Sequence, residues 1–156
     1  MNNFALESQI VARLGLLLPQ LAEISGMSKI NFTRNGYVPP LFPSASVIHI
    51  DDTANDSQST AGQVITQHWQ VILGVHEMKD IVTNEQNRVA LGSIIHDARM
   101  ALYGWIPSPD GGIVFGKVRA HGTSALTNDD RGRVYYPLNI AVDLKLNLKK
   151  GCFDEA

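Results

Sequence analysis

The stretch RVYYPLNIAVDLKLN, residues 133–147, has the most regular pattern in the chain. Apolar side chains recur at every second position: Val134, Tyr136, Leu138, Ile140, Val142, Leu144 and Leu146. Because successive side chains of a strand point to opposite faces, and the residues between are mostly polar, the pattern predicts a strand at 134–147 with one dry and one wet face. Pro137 has no N–H to donate, so we expect the first part of this strand at a sheet edge.

A second long strand is predicted at 64–77, where the period is again two. The apolar positions of one face are Ile65, Trp69, Val71, Leu73 and Val75, and the polar positions lying mainly on the other are Thr66, His68, Gln70 and His76. Shorter runs predict strands at 46–50 and 113–121. The sequence therefore favours four strands, two of them unusually long.

Two other stretches repeat their apolar residues at helical spacing. In the first they are Leu6, Ile10, Leu14, Leu17 and Leu21. Pro19 lacks an N–H and crowds the preceding turn, so this helix should end or kink near Leu18. In the second helix, which begins at Asn84, they are Leu91, Ile94, Ile95, Ala98 and Leu102. Gly104 stands where a helix C-terminal cap is expected.

The remaining segments are predicted to be connectors. Residues 25–44 combine Gly and Asn-Gly turns with a cluster of prolines, which is typical of a stiff irregular link. Residues 53–62 contain almost nothing to bury and predict a mobile loop, and 122–132 predict a second polar loop.

The predicted fold is α+β, in the order α-β-β-α-β-β. Strands that arrive in pairs joined by loops form antiparallel hairpins, so we expect one four-stranded antiparallel sheet with two helices packed on one face. The whole chain, 1–156, is predicted to be a single domain. The expected core is Leu6, Ile10, Leu14, Leu17, Trp69, Val71, Leu73, Leu91, Ile94, Ile95, Ala98, Leu102, Leu138, Ile140, Val142 and Leu144.

Composition excludes several classes of function. Of the 156 residues, 18% are charged and the net charge is −2, so no basic excess exists to grip nucleic-acid phosphates. Cys152 is the one cysteine, which excludes an internal disulfide. No apolar stretch approaches the roughly 20 residues of a membrane helix, and the first residues do not have the pattern of a signal peptide.

No pattern indicates a metal, a cofactor or a nucleophile. The five histidines show none of the close spacings typical of zinc ligands, and no glycine pattern that cradles phosphate opens either helix. The best acid–base candidate is His49 with Asp51 and Asp52 at a strand end. A small hydrolase using His49 and Asp51 is therefore one alternative hypothesis.

Four stretches carry a resemblance to a known family: the opening helix at 4–18, the strand at 67–71, the helix segment at 91–102 and the closing strand at 133–142. Together they resemble the tail terminator, or tail completion, proteins of long-tailed bacteriophages, particularly the Mu-like and prophage group. The resemblance spans nearly the whole chain and rests on element order and patterned positions.

The resemblance implies a homohexameric ring that caps the finished tail tube, ends tail growth and provides the head-attachment surface. It implies a virion protein at the tail–neck junction, made in the host bacterial cytoplasm, without cofactor or enzymatic activity. The implied partners are further copies of the chain, the tail tube protein and head–tail connector or neck proteins, with DNA only passing through the ring. A head–tail adaptor or stopper protein of the neck is the neighbouring alternative.

A ring needs heterologous contacts, in which one patch meets a different patch on the next copy. The segments 53–62 and 122–132 are candidates for recognition, and the second is flanked by arginines that could pair with acids of an adjacent copy. The interface candidates are Asp51, Asp52, Asp56, Arg119, Arg131 and Arg133.

Overall fold

The computed structural model describes residues 4–28, 31–32, 36–55, 62–76, 84–128 and 131–146, with the backbone alone at 84–87. Two long helices are described, α1 (Ala5–Leu17) and α2 (Asn84–Leu102). The strands are β1 (Glu23–Ser28), β2 (Ser44–Ala54), β3 (Gln63–His76), β4 (Ile113–Phe115), β5 (Arg119–Ala120), β6 (Thr127–Asn128) and β7 (Arg133–Leu146).

All described strands form one sheet in the order β1-β2-β3-β7-β4, with β5 and β6 also paired to β7. β3 and β7 are antiparallel over 14 residues each, from Gln63 opposite Leu146 to His76 opposite Arg133. β4, β5 and β6 pair in turn with residues 144–146, 140–141 and 134–135 of β7, so they act as one interrupted edge strand.

The sheet corrects the expected four-stranded antiparallel arrangement, because it is larger and mixed. β1 runs parallel to β2 and lies in the stretch expected to be irregular. Its sequence, EISGMS, lacks alternation, and its glycine resembled a turn signal. Gly26 lies within this strand, with its Cα facing the carboxyl end of the Glu7 side chain on α1.

The other strand boundaries follow from local hydrogen bonds. β2 continues to Ala54, so the first residues of the expected loop at 53–62 are strand, while 56–61 lie outside the described residues. The single strand expected at 113–121 is interrupted because Val118 N–H donates to Trp105 O and Gly104 N–H donates to Val118 O. These hydrogen bonds connect the segment around Val118 to the end of α2, and the chain pairs with β7 again only at β5.

β7 lies inside the sheet, which corrects the expectation that its first part is an edge. Residues 134 and 135 pair with β6 on one side, and the strand pairs with β3 on the other. Pro137 stands opposite Ile72 of β3 and falls between the stretches of β7 that β5 and β6 cover. A residue without an N–H therefore occupies a position where no described strand pairs on the outer side.

Both helices pack on one face of the sheet. Their buried residues join one apolar cluster with Val47, Trp69, Leu73 and Ile140, which share that face by strand alternation. Ile94 and Ile140 of the expected core are buried, and Ile95 is partly buried against it. Gly104 has a φ of +81°, as expected for a residue that ends a helix in the left-handed region.

At the end of α1, the expectation that Leu17 belongs to the core is wrong. Leu17 is 45% exposed, whereas Leu18 is 1% exposed. The helix ends at Leu17, and Leu18 has a non-helical backbone with φ −121° and ψ 72°. The departure from helical geometry turns Leu18, rather than Leu17, into the core.

Candidate assembly interface

The sheet face opposite the helices, the helix-free face, carries the polar alternate residues of β2, β3 and β7. Ile48, Ile72 and Ala141 are buried on it outside the main apolar cluster, so it has a small apolar base of its own. The surrounding side chains are largely bonded to one another. They form two polar networks and one aromatic groove.

The first network centres on Asp143 of β7. Thr66 donates its hydroxyl to Asp143 Oδ1 at 2.7 Å, and Arg119 Nη2 donates to the same oxygen at 3.2 Å. Asn55 donates its amide to Thr66 Oγ1 at 2.9 Å. Burial by itself raises the pKa of Asp143, but the Thr66 and Arg119 hydrogen bonds and the Arg119 charge outweigh it. The pKa of Asp143 therefore lies below the ordinary value of 3.8.

The second network attaches the segment after β5 to the sheet. Gln70 donates to Asn139 Oδ1 at 2.9 Å, so adjacent strands β3 and β7 are bonded through their side chains. Asn139 Nδ2 donates to Thr123 O at 2.9 Å and to Ser124 Oγ at 3.3 Å. The backbone N–H of His121 donates to Asn139 O. Asn139 thus holds 121–124, the first part of the expected loop at 122–132, over the helix-free face.

A histidine pair lies between these two networks. His68 Nδ1 is 2.5 Å from Asp51 Oδ1, and the His68 ring stacks on the His121 ring with centroids 4.2 Å apart. A cleft of about 300 Å³ borders these residues. In the described part of the chain, no three His, Cys, Asp or Glu side chains are grouped so that they could hold a metal ion.

The structure separates His49 from Asp51, the pair on which the hydrolase hypothesis depends. The β2–β3 register shifts between these two residues, so Ile50 is an extra residue and the side chains fall on opposite faces. His49 Nε2 lies 2.7 Å from Asp52 Oδ1 on the helix side, where its ring contacts Phe4 and Trp69. Within the described residues, His49 and His68 therefore each contact a different aspartate, and His49 does not meet Asp51.

The interface candidates fall in three places. Asp51 and Asp52 contact the imidazole rings of His68 and His49 of their own chain, and Arg119 forms an ion pair with Asp143. Arg131 and Arg133 lie together at the start of β7, where the Arg131 carbonyl accepts a hydrogen bond from His76 Nε2 at 3.0 Å. Asp56 lies outside the described residues. Pairing of these residues between copies stays a prediction.

The aromatic groove lies at the other end of the helix-free face. Phe32 contacts Tyr37 and Tyr135, with ring centroids 6.1 and 6.4 Å apart, and Phe42 contacts Tyr135 at 6.3 Å. A cavity of about 550 Å³ opens here between the segment before β2 and the sheet. Its lining includes Phe32, Tyr37, Ile72, Arg133, Tyr135 and Pro137.

Sequence reasoning missed this groove because 25–44 was interpreted as a stiff connector. The signal was present in the recurrence of Phe32, Tyr37 and Phe42 at intervals of five in a segment otherwise rich in turn residues. Gly74 lies next to the aromatic side chains that flank the groove. A Cβ atom there would lie 2.9 Å from Ser44 Oγ and 3.1 Å from Phe42 Cε1, so a larger residue would require these side chains to shift.

Fold and surface together define a small α+β protein whose most organised surface is a sheet face with bonded polar networks and an aromatic groove. No helix of the described chain is long and apolar enough to cross a membrane. The chain belongs to the phage tail terminator protein family, whose model matches residues 1–148. The predicted resemblance is thereby confirmed, and the protein is a structural component of a phage-type virion.

A solved chain from the virion of a native gene transfer agent particle is similar, with a TM-score of 0.44 and 9% sequence identity. The similarity covers 87% of this chain and 84% of that one. No curated protein matches the sequence.

Proposed function

We propose that the protein forms a homohexameric ring that caps the finished tail tube, ends tail growth and presents the surface to which the head attaches. It acts without catalysis, through contacts with its own copies, the tube protein and the neck proteins at the tail–neck junction. DNA passes through the ring, which agrees with a chain that has no excess of basic residues. Family membership supports a role in the tail.

The observation that carries the proposal is the presence of two different broad surfaces on opposite sides of one sheet. The helix-free face has the polar networks and the groove. The helix side exposes large apolar side chains, with Leu16 at 77%, Met100 at 71% and Val89 at 69% exposure. Exposed apolar groups are typical of contact surfaces, and a closed ring needs two unlike patches on every copy.

The helix side is rigid enough to act as one such surface. Arg13 Nε donates to Ala101 O at 2.5 Å, and its guanidinium lies 4.9 Å from the centre of the Trp105 ring. Gln20 donates to Asp97 Oδ2 at 2.9 Å. These contacts fasten α1 to α2, so Leu16 and Met100 are presented from a fixed pair of helices.

The experiment that tests the ring is electron microscopy of the purified full chain, alone and with tail tubes. We expect six-fold rings, free or at one end of each tube. Because each copy contributes both surfaces, the double variant Leu16→Asp, Met100→Asp should prevent ring formation. The variant should still fold, because both side chains are exposed. A monomer that never decorates a tube end would contradict the proposal. Binding only to head-derived particles would favour the adaptor or stopper alternative.

A further inference from the structure

The helix-free face presents a carboxylate and an aromatic groove in a fixed order along the strands. Asp51 stands opposite His68, and His68 stands opposite Ala141 of β7. The groove floor, Ile72 opposite Pro137, is four residues further along both strands. At about 3.4 Å per residue, the two features lie roughly 14 Å apart. Arg133 lines the far end of the groove.

The residues that follow β7 carry complementary chemistry in a matching order. Residues 147–156 read NLKKGCFDEA. Lys149 precedes Phe153 by four residues, roughly 14 Å in an extended chain, and Asp154 and Glu155 come directly after Phe153. A segment running antiparallel to β7 would bring Lys149 to Asp51, Phe153 to the groove and the two acids to Arg133.

We propose that residues 147–156 of one copy occupy the aromatic groove of a second copy, with Phe153 seated among Phe32, Tyr37 and Tyr135. The inference rests on the proposed ring, which supplies the second copy. The contact joins unlike surfaces, so each copy of a closed ring gives one segment and receives one. It names Asp51 and Arg133 as groups that meet a neighbouring copy.

Chain length disfavours the copy's own groove. From Leu146, the groove floor at Pro137 lies nine residues back along β7, which is roughly 31 Å. Phe153 is seven residues beyond Leu146, and seven extended residues span at most about 25 Å before any turn is made. Because the chain must also reverse direction, which takes up residues, the Phe153 backbone falls short of this floor on its own copy, and the distance favours the groove of a neighbour.

The lone cysteine, Cys152, makes this contact measurable because it stands next to Phe153. Thr127→Cys places a second thiol on the exposed lining of the groove. Ser93→Cys places one on the exposed surface of α2 and serves as the matched control. Each full-chain variant is oxidised and run on a non-reducing gel, and the same samples are imaged by negative stain.

We expect a ladder of disulfide-linked multimers for Thr127→Cys and no ladder for Ser93→Cys. Cys152→Ser in the Thr127→Cys background should abolish the ladder. Phe153→Ala in that background should weaken association about tenfold or more, because a buried aromatic anchor is a common interface hot spot.

Two results would overturn the inference while leaving the ring in place. In the first, Thr127→Cys forms rings but no crosslinks between copies. In the second, the disulfide between Cys152 and the new cysteine forms only within one copy. Equal ladders from Thr127→Cys and Ser93→Cys would also overturn it, because crosslinking of Cys152 would then not depend on the groove. Absence of both rings and crosslinks would contradict the proposed function as well.

Discussion

Single residues show why the helix-free face has its shape. At Gly74 the side chains of Ser44, Phe42 and Tyr135 lie so close that a Cβ atom would require them to shift. At Asp143 two donors converge on one carboxylate oxygen and stabilise its charge. Neither role is visible in the sequence, because each depends on a neighbour from another strand.

Gly74→Ala should destabilise the protein by about 1–3 kcal/mol, since the new methyl group crowds Ser44, Phe42 and Tyr135. Gly92→Ala is the matched control. Nothing lies within 4 Å of a Cβ atom at Gly92, in the exposed part of α2, so the same change there should stabilise by up to about 1 kcal/mol. Denaturant unfolding of both variants gives the comparison, and equal effects would contradict the crowding at Gly74.

The lowered pKa of Asp143 predicts a dependence of stability on pH. Because its folded-state pKa lies below 3.8, the ionised carboxylate contributes stability above that value, and the contribution is lost as pH falls through the folded-state pKa. Asp143→Asn should therefore lower the unfolding temperature at neutral pH and have little effect well below pH 3.8. Thermal unfolding of both proteins across this range measures the difference. A gap that stays constant with pH would refute the role.

Elements show how much of the fold was predictable. The two long strands and both helices were predicted nearly to the residue, because β3, β7, α1 and α2 each have a regular apolar period. β1 was not, because its six residues, EISGMS, show no such period. The groove was missed for a related reason. Its aromatic residues come from a segment without regular structure, and only the folded sheet brings them to Tyr135.

The end of α1 provides a neighbouring pair of leucines as a test. Leu18→Ala should cost about 2–5 kcal/mol, because it leaves a cavity in the core. Leu17→Ala should cost less than about 1 kcal/mol, because Leu17 is 45% exposed. Equilibrium unfolding in urea distinguishes the two. A larger effect at Leu17 would contradict the structure and would support the sequence-based prediction that Leu17 is the core residue.

The connection between β2 and β3 can be shortened without touching the polar networks. Removing 56–61 keeps Ala54 opposite Ile65 and keeps Asn55, which donates to Thr66. If these six residues recognise the tube or a neck protein, the variant should fold and form rings but fail to restore tail length or head joining in a complementation assay. Full complementation would show that this segment has neither task.

On the scale of the whole molecule, the described chain is a plate with two unlike faces. Helices fastened by Arg13 and Gln20 form one face, and bonded polar networks with a groove form the other. Such a plate can repeat around an axis, since every copy offers both faces to its neighbours. In the proposed function, such a ring would end a polymer by binding the last tube subunits and offering no surface for another.

Tail length in particles that lack this chain is the most direct measure of that claim. Tails assembled without the protein should vary in length, extend beyond the normal value and fail to join heads. Adding the purified protein during assembly should restore one length, with a ring at the tail end. Tails of normal, uniform length that form in its complete absence would contradict the account.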